Sequence, residues 1–231
     1  MHVHSDARGE ERFEQSAKYA RAVRLAGGTP VYLGTHLDYA APAGGVLASL
    51  DGVIFSGGGG NHRSYFESGA SPSLRETNPA RYDYEAELIS YASANKMPVL
   101  GICRGFQTLA EVLGGELAND LRRLDSMVCH SQEEPADVAT HDVTISPGTT
   151  LHGDLGPRMR VNSLHGQGVT LPPVGFTVSA TADDGLIEAF ETEGGLAQGT
   201  QFHPEWLVDG EAGFLRIFAT LVRHARERQR R

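Results

Sequence analysis

Residues 99–107 read Val-Leu-Gly-Ile-Cys-Arg-Gly-Phe-Gln, and this stretch carries the most information in the chain. The run begins like a short strand that is buried on both faces, and a helical pattern starts at Phe106. Gly101 and Gly105 each lie two residues from Cys103. This spacing predicts a sharp strand-to-helix turn that presents the thiol, because side chains at the two glycine positions would collide with the strand or the helix.

A cysteine at such a turn is a candidate nucleophile. The positive end of the helix dipole lies at the first helical turn and favours the reactive thiolate. The alternative is a buried structural cysteine between two ordinary loop glycines, since cysteine is among the most buried residue types. Residues 99–107 alone leave both interpretations open.

Length and composition indicate one α/β domain over residues 1–231. Of these residues, 40% are hydrophobic and 21% are charged, and no repeat or long linker divides the chain. The formal net charge of −9 argues against a general nucleic-acid binder, which needs a basic face. The basic stretch at 223–231 is predicted to be a solvated helix end, because cations suit a helix C-terminus.

The N-terminus and the hydropathy pattern favour a cytoplasmic protein without a membrane span. Residues 1–14 are polar and acidic, unlike a signal peptide, and no apolar run approaches the ~18 residues that cross a bilayer. We therefore expect Cys103 and Cys129 to be reduced. Cys129 lies in a polar stretch without flanking glycines, and we predict no role for it.

Short apolar runs alternate with helical patterns along the first half of the chain. This alternation predicts a mostly parallel sheet covered by helices on both faces, with extra antiparallel strands in the second half. The segment 116–140 is the least regular. Helices are predicted within 11–26 and at 85–94, 105–113 and 211–228, and strands at 31–33, 52–55, 97–103, 141–145, 174–181, 186–191 and 196–202.

A second candidate catalytic segment is Gln-Phe-His-Pro-Glu at 201–205, which follows an apolar strand. A thiolate nucleophile needs a base and a group that orients the base. His203 and Glu205 would project from the strand end, and Pro204 fixes the turn between them. A carboxylate two residues from an imidazole can hold the tautomer and orientation of the ring, as a catalytic triad requires.

The glycine run at 57–60 follows the strand predicted at 52–55 and is a candidate oxyanion loop. Glycines let the backbone approach a substrate closely, and their N–H groups can surround an anion. A phosphate loop of the Walker type would need a Gly-Lys-Ser/Thr sequence, and a dinucleotide fingerprint would need a helix start, and neither follows here. The N–H of a loop glycine together with that of Arg104 fits an oxyanion hole better.

Histidine spacing predicts no metal site. His141, His152 and His165 are widely separated, and neither a Cys-x-x-Cys nor a His-Glu-x-x-His arrangement is present. The His2-x-His4 pair is interpreted as accidental. We expect no cofactor.

We call the strand-to-helix turn at 101–107 the elbow. In combination, the elbow, the glycine loop and the His-Pro-Glu block resemble a class I glutamine amidotransferase-type domain. More closely, the chain resembles the γ-glutamyl-γ-aminobutyrate hydrolase-like branch, peptidase family C26. That branch is marked by an arginine after the cysteine, by a block similar to residues 161–167 (Val-Asn-Ser-Leu-His-Gly-Gln) and by an Ile-Glu-Ala strand, here 187–189. The similarity runs from about residue 11 to 222 and implies a three-layer αβα, flavodoxin-like fold.

The resemblance also implies roles for individual residues. Cys103 would be the nucleophile, His203 the base and acid, and Glu205 the residue that orients His203. Gly58 and Arg104 would supply the two N–H groups of the oxyanion hole. The resemblance further implies substrate contacts: Gln107 would touch the γ-glutamyl group, and its α-amino and α-carboxylate ends would be lined by Ser163, Leu164 and His165.

This chain departs from the family pattern in three places. A first strand similar to Ile-Gly-Ile-Thr is shortened or missing, since the chain begins Met1-His2-Val3-His4. The proline before the glycine loop is replaced by Ser56, and the doubled histidine of the Leu-His-His-Gln block by His165-Gly166. The last change bears on substrate identity more than on the chemistry.

The expected activity is hydrolysis of a small γ-glutamyl amide through a thioester, with release of glutamate and an amine. Two alternatives remain open: a glutaminase subunit that passes ammonia to a separate synthase, and a binding domain that has lost activity. The expected partner is a small-molecule γ-glutamyl substrate, with no nucleic acid and no membrane, and a homodimer is left open.

Overall fold

The computed structural model describes residues 2–5, 11–34, 42–58, 72–123 and 128–230, with backbone alone at 2–5 and 11–13. Eight α-helices lie in these ranges, and no described helix is both long and apolar enough to cross a membrane. The helices are α1 Ala17–Leu25, α2 Ala43–Leu47, α3 Leu74–Thr77, α4 Pro79–Ala94, α5 Arg104–Val112, α6 Thr150–Leu155, α7 Pro204–Leu207 and α8 Ala212–Gln229.

The described strands form a two-stranded hairpin and a nine-stranded sheet. The hairpin pairs β1 His2–Ser5 with β2 Glu11–Glu14. The strands of the large sheet are β3 Val53–Phe55, β4 Val99–Ile102, β5 Glu116–Ala118, β6 His141–Ile145, β7 Arg158–Val161, β8 Gly168–Leu171, β9 Thr177–Ala182, β10 Ile187–Glu191 and β11 Ala197–Thr200.

The large sheet has a parallel part and an antiparallel part. Its order is β3-β4-β11-β10-β9-β6-β7, with β8 beside β10 and β5 beside β8. The pairs β3/β4 and β4/β11 are parallel, and the other described pairs are antiparallel. The α/β fold is therefore confirmed, with an antiparallel extension that begins at β10.

The parallel register determines where the candidate catalytic segments, which follow β3, β4 and β11, meet. Val99 lies opposite both Val53 and Ala197, and Thr200 lies opposite Ile102. All four residues of β4 are buried, which suits its central position. Because the carboxyl ends of parallel strands meet at one edge of the sheet, the segments after β3, β4 and β11 come together there.

Helices cover both faces of the parallel part, and side chains alternate between two cores. Leu100 and Ile102 pack on one face with residues of α1 and α8, including Phe218. Val99 and Phe190 pack on the other face with residues of α2, α4 and α5. This arrangement is the three-layer αβα architecture that the sequence predicts.

Two sequence predictions near the N-terminus are wrong. Residues 11–14 are the strand β2, so the predicted helix begins only at Ala17. Residues 31–33 form no strand, and Val31 and Tyr32 are exposed. Their β-branched and aromatic composition favours a strand, but composition alone does not decide whether a segment pairs with a neighbouring strand.

The outer edge of β3 pairs with no other described strand, and no strand among the described residues takes the place of the first strand of the family pattern. The strand β1 lies in the separate hairpin instead. A cavity of about 490 Å³ runs along this edge and is lined partly by Val31 and Tyr32. Neither Cys103 nor His203 lines this cavity.

Candidate active site

Cys103 occupies the strained turn between β4 and α5. Its φ of 52° and ψ of −106° fall in a region that residues with side chains rarely adopt. The turn is held by a hydrogen bond of 2.8 Å from the Cys103 N–H to the Thr200 carbonyl at the end of β11. The predicted strand-to-helix elbow is confirmed in its backbone geometry.

The glycines on either side of Cys103 are required by close backbone contacts. A Cβ on Gly105 would overlap the Phe55 carbonyl group at the end of β3. A Cβ on Gly101 would lie 2.8 Å from the Gly105 carbonyl oxygen. The two glycines therefore let strand, turn and helix pack at a distance that no side chain permits.

His203 and Glu205 reach the same place from the end of β11. The Nδ1 atom of His203 lies 2.7 Å from Oε1 of Glu205. Glu205 is 1% exposed and His203 is 8% exposed, so the pair is shielded from water. Pro204 and Glu205 form the first turn of α7, which fixes the spacing of the two side chains.

Charge stabilises the protonated imidazole of His203. Burial lowers the pKa of His203, but the Glu205 carboxylate and the Cys103 sulfur raise it more, so the net pKa lies well above its usual value. The Cys103 sulfur also interacts directly with the ring. The arrangement can therefore hold a thiolate–imidazolium pair with a carboxylate on the far side of the ring.

The glycine loop lies against His203 and Arg104. A Cβ on Gly57 would lie 2.7 Å from Cε1 of His203, and one on Gly58 would lie 2.8 Å from Cδ of Arg104. Neither the Gly58 N–H nor the Arg104 N–H bonds to a described residue, which leaves both able to face a ligand oxygen. Gly59 and Gly60 lie outside the described residues.

Buried side chains that the sequence did not single out hold this loop. The Tyr19 hydroxyl accepts a hydrogen bond of 2.9 Å from the Gly57 N–H. Arg81 donates to the carbonyl oxygens of Ser56, at 2.7 Å, and Gly57, at 3.2 Å. Arg81 also pairs with the buried Glu85, four residues later on α4. This i,i+4 spacing is the sequence signal that could have identified the pair.

Tyr19 also faces the triad. Burial raises the pKa of the Tyr19 hydroxyl well above its usual value, and the charges of Glu205 and Cys103 raise it further. The phenol therefore keeps its proton at physiological pH, and its oxygen remains an acceptor for the Gly57 N–H.

The Arg104 side chain turns away from the elbow. It donates to the Thr77 hydroxyl at 2.7 Å and to the Leu74 carbonyl at 3.1 Å. Burial lowers the pKa of Arg104 to about 10, and the nearby Arg81 lowers it as well. The side chain thus fixes α3 against the start of α5, while the backbone N–H remains at the turn.

The residues predicted to contact substrate lie next to the site, and their role stays a prediction. Gln107 donates to the Gln167 carbonyl at 2.7 Å and to Oε1 of Gln201 at 3.0 Å. Ser163 and His165 are buried, and their side chains contact each other at 3.1 Å. Leu164, which is half-buried, is the most accessible of the block 163–165.

The sequence does not predict two further features of the structure. Asn162 binds the backbone of His203, and it lies in the block 161–167, where the resemblance implies roles only for Ser163, Leu164 and His165. His130, His165 and Glu188 bring nitrogen and carboxylate ligand atoms within 4.8 Å of one another and could hold a metal ion. Cys129 is a free, exposed cysteine.

Comparisons with known proteins show what this chain is similar to. A family model described as Peptidase C26 matches residues 2–205. The γ-glutamyl-γ-aminobutyrate hydrolase PuuD of Escherichia coli K12 is 32% identical over 199 residues, which cover 82% of this chain and 77% of that protein. The protein NtpR of Enterococcus hirae is 33% identical over 191 residues, covering 81% and 79%.

A solved structure supports the fold. A glutamine amidotransferase from Thermotoga maritima aligns with a TM-score of 0.57 at 21% identity, covering 90% of this chain and 89% of that one. At this level of identity, the likeness concerns the fold alone.

Proposed function

The chain belongs to the peptidase C26 family and is a hydrolase of C–N amide bonds, and we propose that it cleaves the γ-glutamyl amide bond of a small γ-glutamyl amine. The observation that carries the proposal is the meeting of Cys103, His203 and Glu205 at the ends of two adjacent parallel strands. A relative named for γ-glutamyl-γ-aminobutyrate supports the substrate class.

In the first half of the proposed reaction, the Cys103 sulfur attacks the γ-carbonyl carbon of the substrate. The carbonyl oxygen becomes an oxyanion, which accepts hydrogen bonds from the N–H groups of Gly58 and Arg104. His203 then donates its proton to the amine nitrogen as the C–N bond breaks. The amine leaves, and a γ-glutamyl thioester on Cys103 remains.

In the second half, water replaces the amine. His203, now neutral, takes a proton from the water while the water oxygen attacks the thioester carbon. The same two N–H groups stabilise the second oxyanion. The C–S bond breaks, glutamate leaves, and the proton on His203 restores the thiolate–imidazolium pair. Glu205 keeps Nδ1 of His203 protonated and the ring oriented throughout.

The test is glutamate release by the purified chain, with γ-glutamyl-GABA, other γ-glutamyl amines and glutamine as separate substrates. We expect hydrolysis of the γ-glutamyl amines without any added partner, with glutamine a poorer substrate. Activity on glutamine alone, or activity that needs a synthase, would favour the glutaminase alternative. No release from any γ-glutamyl substrate would overturn the proposal.

A matched pair of cysteine variants locates the nucleophile. Cys103→Ala should abolish turnover while the thermal unfolding curve stays close to that of the wild type. Cys129→Ala removes the exposed cysteine and should keep full activity. Comparable rates for Cys103→Ala and the wild type would exclude Cys103 as the nucleophile.

A further inference from the structure

The side chain of Tyr19 on α1 lies between the glycine loop and the carboxylate of Glu205. Its hydroxyl oxygen accepts a hydrogen bond of 2.9 Å from the Gly57 N–H. A Cβ on Gly57 would lie 2.8 Å from this oxygen, and 2.7 Å and 3.5 Å from Cε1 and Nδ1 of His203. Nδ1 is the nitrogen that lies 2.7 Å from Oε1 of Glu205. The hydroxyl and the ring, with the carboxylate beside the ring, therefore meet next to Gly57.

Tyr19 and Glu205 have complementary hydrogen-bonding groups that remain to be matched. The bond from Gly57 uses a lone pair of the hydroxyl, so the phenolic proton is left to donate. Oε2 of Glu205 is buried and accepts no hydrogen bond of normal geometry in the described part of the chain. Leaving a buried carboxylate oxygen without a donor is costly. Burial is the main cause that raises the pKa of the Tyr19 hydroxyl, and the charge of Glu205 is the next, which shows that the two groups interact.

The helix α1 is attached to α7, the short helix that carries Glu205. The Lys18 ammonium lies 4.6 Å from the centroid of the Trp206 ring, which belongs to α7. The Arg21 guanidinium donates two hydrogen bonds, of 2.8 Å and 3.0 Å, to the carboxylate of Asp209, two residues after α7. These contacts fix α1 against the segment that follows β11. The tyrosine on α1 is therefore held at a defined position relative to the carboxylate.

We propose that Tyr19 is a positioning residue that joins Glu205 to the glycine loop, donating its phenolic proton to Oε2 of the carboxylate while it accepts from the Gly57 N–H. This inference rests on the proposed function, because it concerns how the groups of that reaction are aligned. One hydroxyl then holds both the carboxylate that orients His203 and the loop whose Gly58 N–H stabilises the oxyanion. The groups at the ends of β11 and β3 are thereby aligned with each other.

The competing explanation is that Tyr19 only fills the core between α1 and the sheet. Its side chain does belong to the core cluster that contains residues of α1 and α8. Phenylalanine has the same ring and lacks only the hydroxyl, so Tyr19→Phe keeps the packing and removes both hydrogen bonds. A residue that only fills the core would keep its activity in this variant, whereas a positioning residue would lose it.

Steady-state kinetics on a γ-glutamyl amine makes the first comparison, with Tyr84→Phe as the matched control. Tyr84 on α4 is also buried, but it packs on the other face of the sheet. We expect kcat of Tyr19→Phe to be about 10- to 100-fold lower with KM within about 3-fold of the wild type, because the hydroxyl aligns groups that act in the transition state. Tyr84→Phe should keep both constants. An unchanged kcat in Tyr19→Phe, or a change confined to KM, would overturn the proposal.

A double-mutant cycle tests the link between Tyr19 and Glu205. Because the hydroxyl acts partly through the carboxylate, Tyr19→Phe should lower kcat by a smaller factor in the Glu205→Gln background than in the wild type. Single-turnover rates of the wild type, the two single variants and the double variant give the coupling between the two positions. Effects that multiply without any coupling would show that the two residues act independently, and the proposed link would be wrong.

A measurement without substrate separates this inference from the proposed function. The Nδ1 proton of His203, held by Glu205, should give a low-field proton NMR resonance that is absent from Glu205→Gln. Removing the donor from Oε2 leaves more negative charge facing Nδ1, so Tyr19→Phe should move this resonance further downfield, and Tyr84→Phe should leave it in place. A resonance at the wild-type position in Tyr19→Phe would overturn the proposal. Failure of the wild type to hydrolyse any γ-glutamyl substrate would instead overturn the proposed function, and the resonance would still decide whether Tyr19 binds Glu205.

Discussion

Asn162 binds both polar groups of the His203 backbone. Its Oδ1 accepts a hydrogen bond of 2.8 Å from the His203 N–H, and its Nδ2 donates one of 3.2 Å to the His203 carbonyl. Asn162 follows β7 and is fully buried, whereas His203 follows β11. The amide thus fixes the backbone from which the imidazole projects, while Glu205 fixes the ring.

Replacing Asn162 tests this positioning role. Asn162→Ala should lower kcat about 10- to 100-fold with little change in KM, because a small displacement of a catalytic group slows the chemical step more than binding. Steady-state kinetics on a γ-glutamyl amine measures both constants. Asn119→Ala, at an exposed asparagine, is the control. An unchanged kcat for Asn162→Ala would show that Glu205 alone holds His203.

The pH dependence tests the charge on Glu205. The carboxylate raises the pKa of His203, so the imidazolium persists to higher pH than in a free histidine. In Glu205→Gln that charge is lost, the pKa of His203 falls, and the basic limb of the kcat/KM profile should move to lower pH. We expect a rate loss of about 100-fold or more at neutral pH, and a smaller effect on substrate affinity.

The check on this prediction is the shape of the pH profile rather than the rate alone. A structural defect would lower the rate at every pH without moving the basic limb. An unmoved basic limb in Glu205→Gln would mean that another carboxylate sets the charge of His203.

The elbow glycines allow a stability test with a matched control. In Gly105→Ala the new Cβ would overlap the Phe55 carbonyl, which only a backbone shift can relieve. We expect a loss of more than about 4 kcal/mol in the free energy of unfolding, or no folded protein. A Cβ on Gly153, inside α6, would meet no atom within 4 Å, so Gly153→Ala should be neutral or stabilise by up to about 1 kcal/mol. Chemical denaturation compares the two, and a Gly105→Ala variant as stable as Gly153→Ala would contradict the close packing.

The sequence sufficed for the parts of the site that depend on local backbone geometry. The elbow around Cys103 depends on a strand end and two flanking glycines, and the turn at 203–205 depends on a strand end and Pro204. Alternation of apolar runs and helical patterns likewise predicted the two-sided α/β sheet. These signals lie within a few residues of one another, which is why they are visible without a structure.

The parts that the sequence did not predict depend on contacts between distant segments. Asn162 and His203 are separated by 41 residues, and His130 and Glu188 by 58, so no local spacing indicates either contact. The prediction of a strand at 31–33 is wrong because propensity does not decide whether a segment pairs with a neighbouring strand. These contacts, and the absence of a strand at 31–33, depend on tertiary pairing rather than on the composition of each segment.

The buried Arg81–Glu85 pair supports the glycine loop, and its replacement separates stability from function. Nε of Arg81 lies 2.7 Å from Oε1 of Glu85, and both side chains are more than nine-tenths buried. Arg81→Met leaves the Glu85 charge uncompensated and should cost about 3–5 kcal/mol of unfolding free energy. Arg75→Met, which breaks an exposed pair with Asp83, should cost less than about 1 kcal/mol and keep full activity.

The double variant Arg81→Met/Glu85→Gln removes the uncompensated charge of Glu85 and should recover most of the stability lost in Arg81→Met. It should not recover activity, because the carbonyls of Ser56 and Gly57 still lack the guanidinium that holds them and the Gly58 N–H is no longer fixed. We expect kcat to stay at least about 10-fold below the wild type, in line with a displaced oxyanion donor. Denaturation curves and kcat on the same preparations make the comparison, and recovery of activity together with stability would show that Arg81 acts only through the fold.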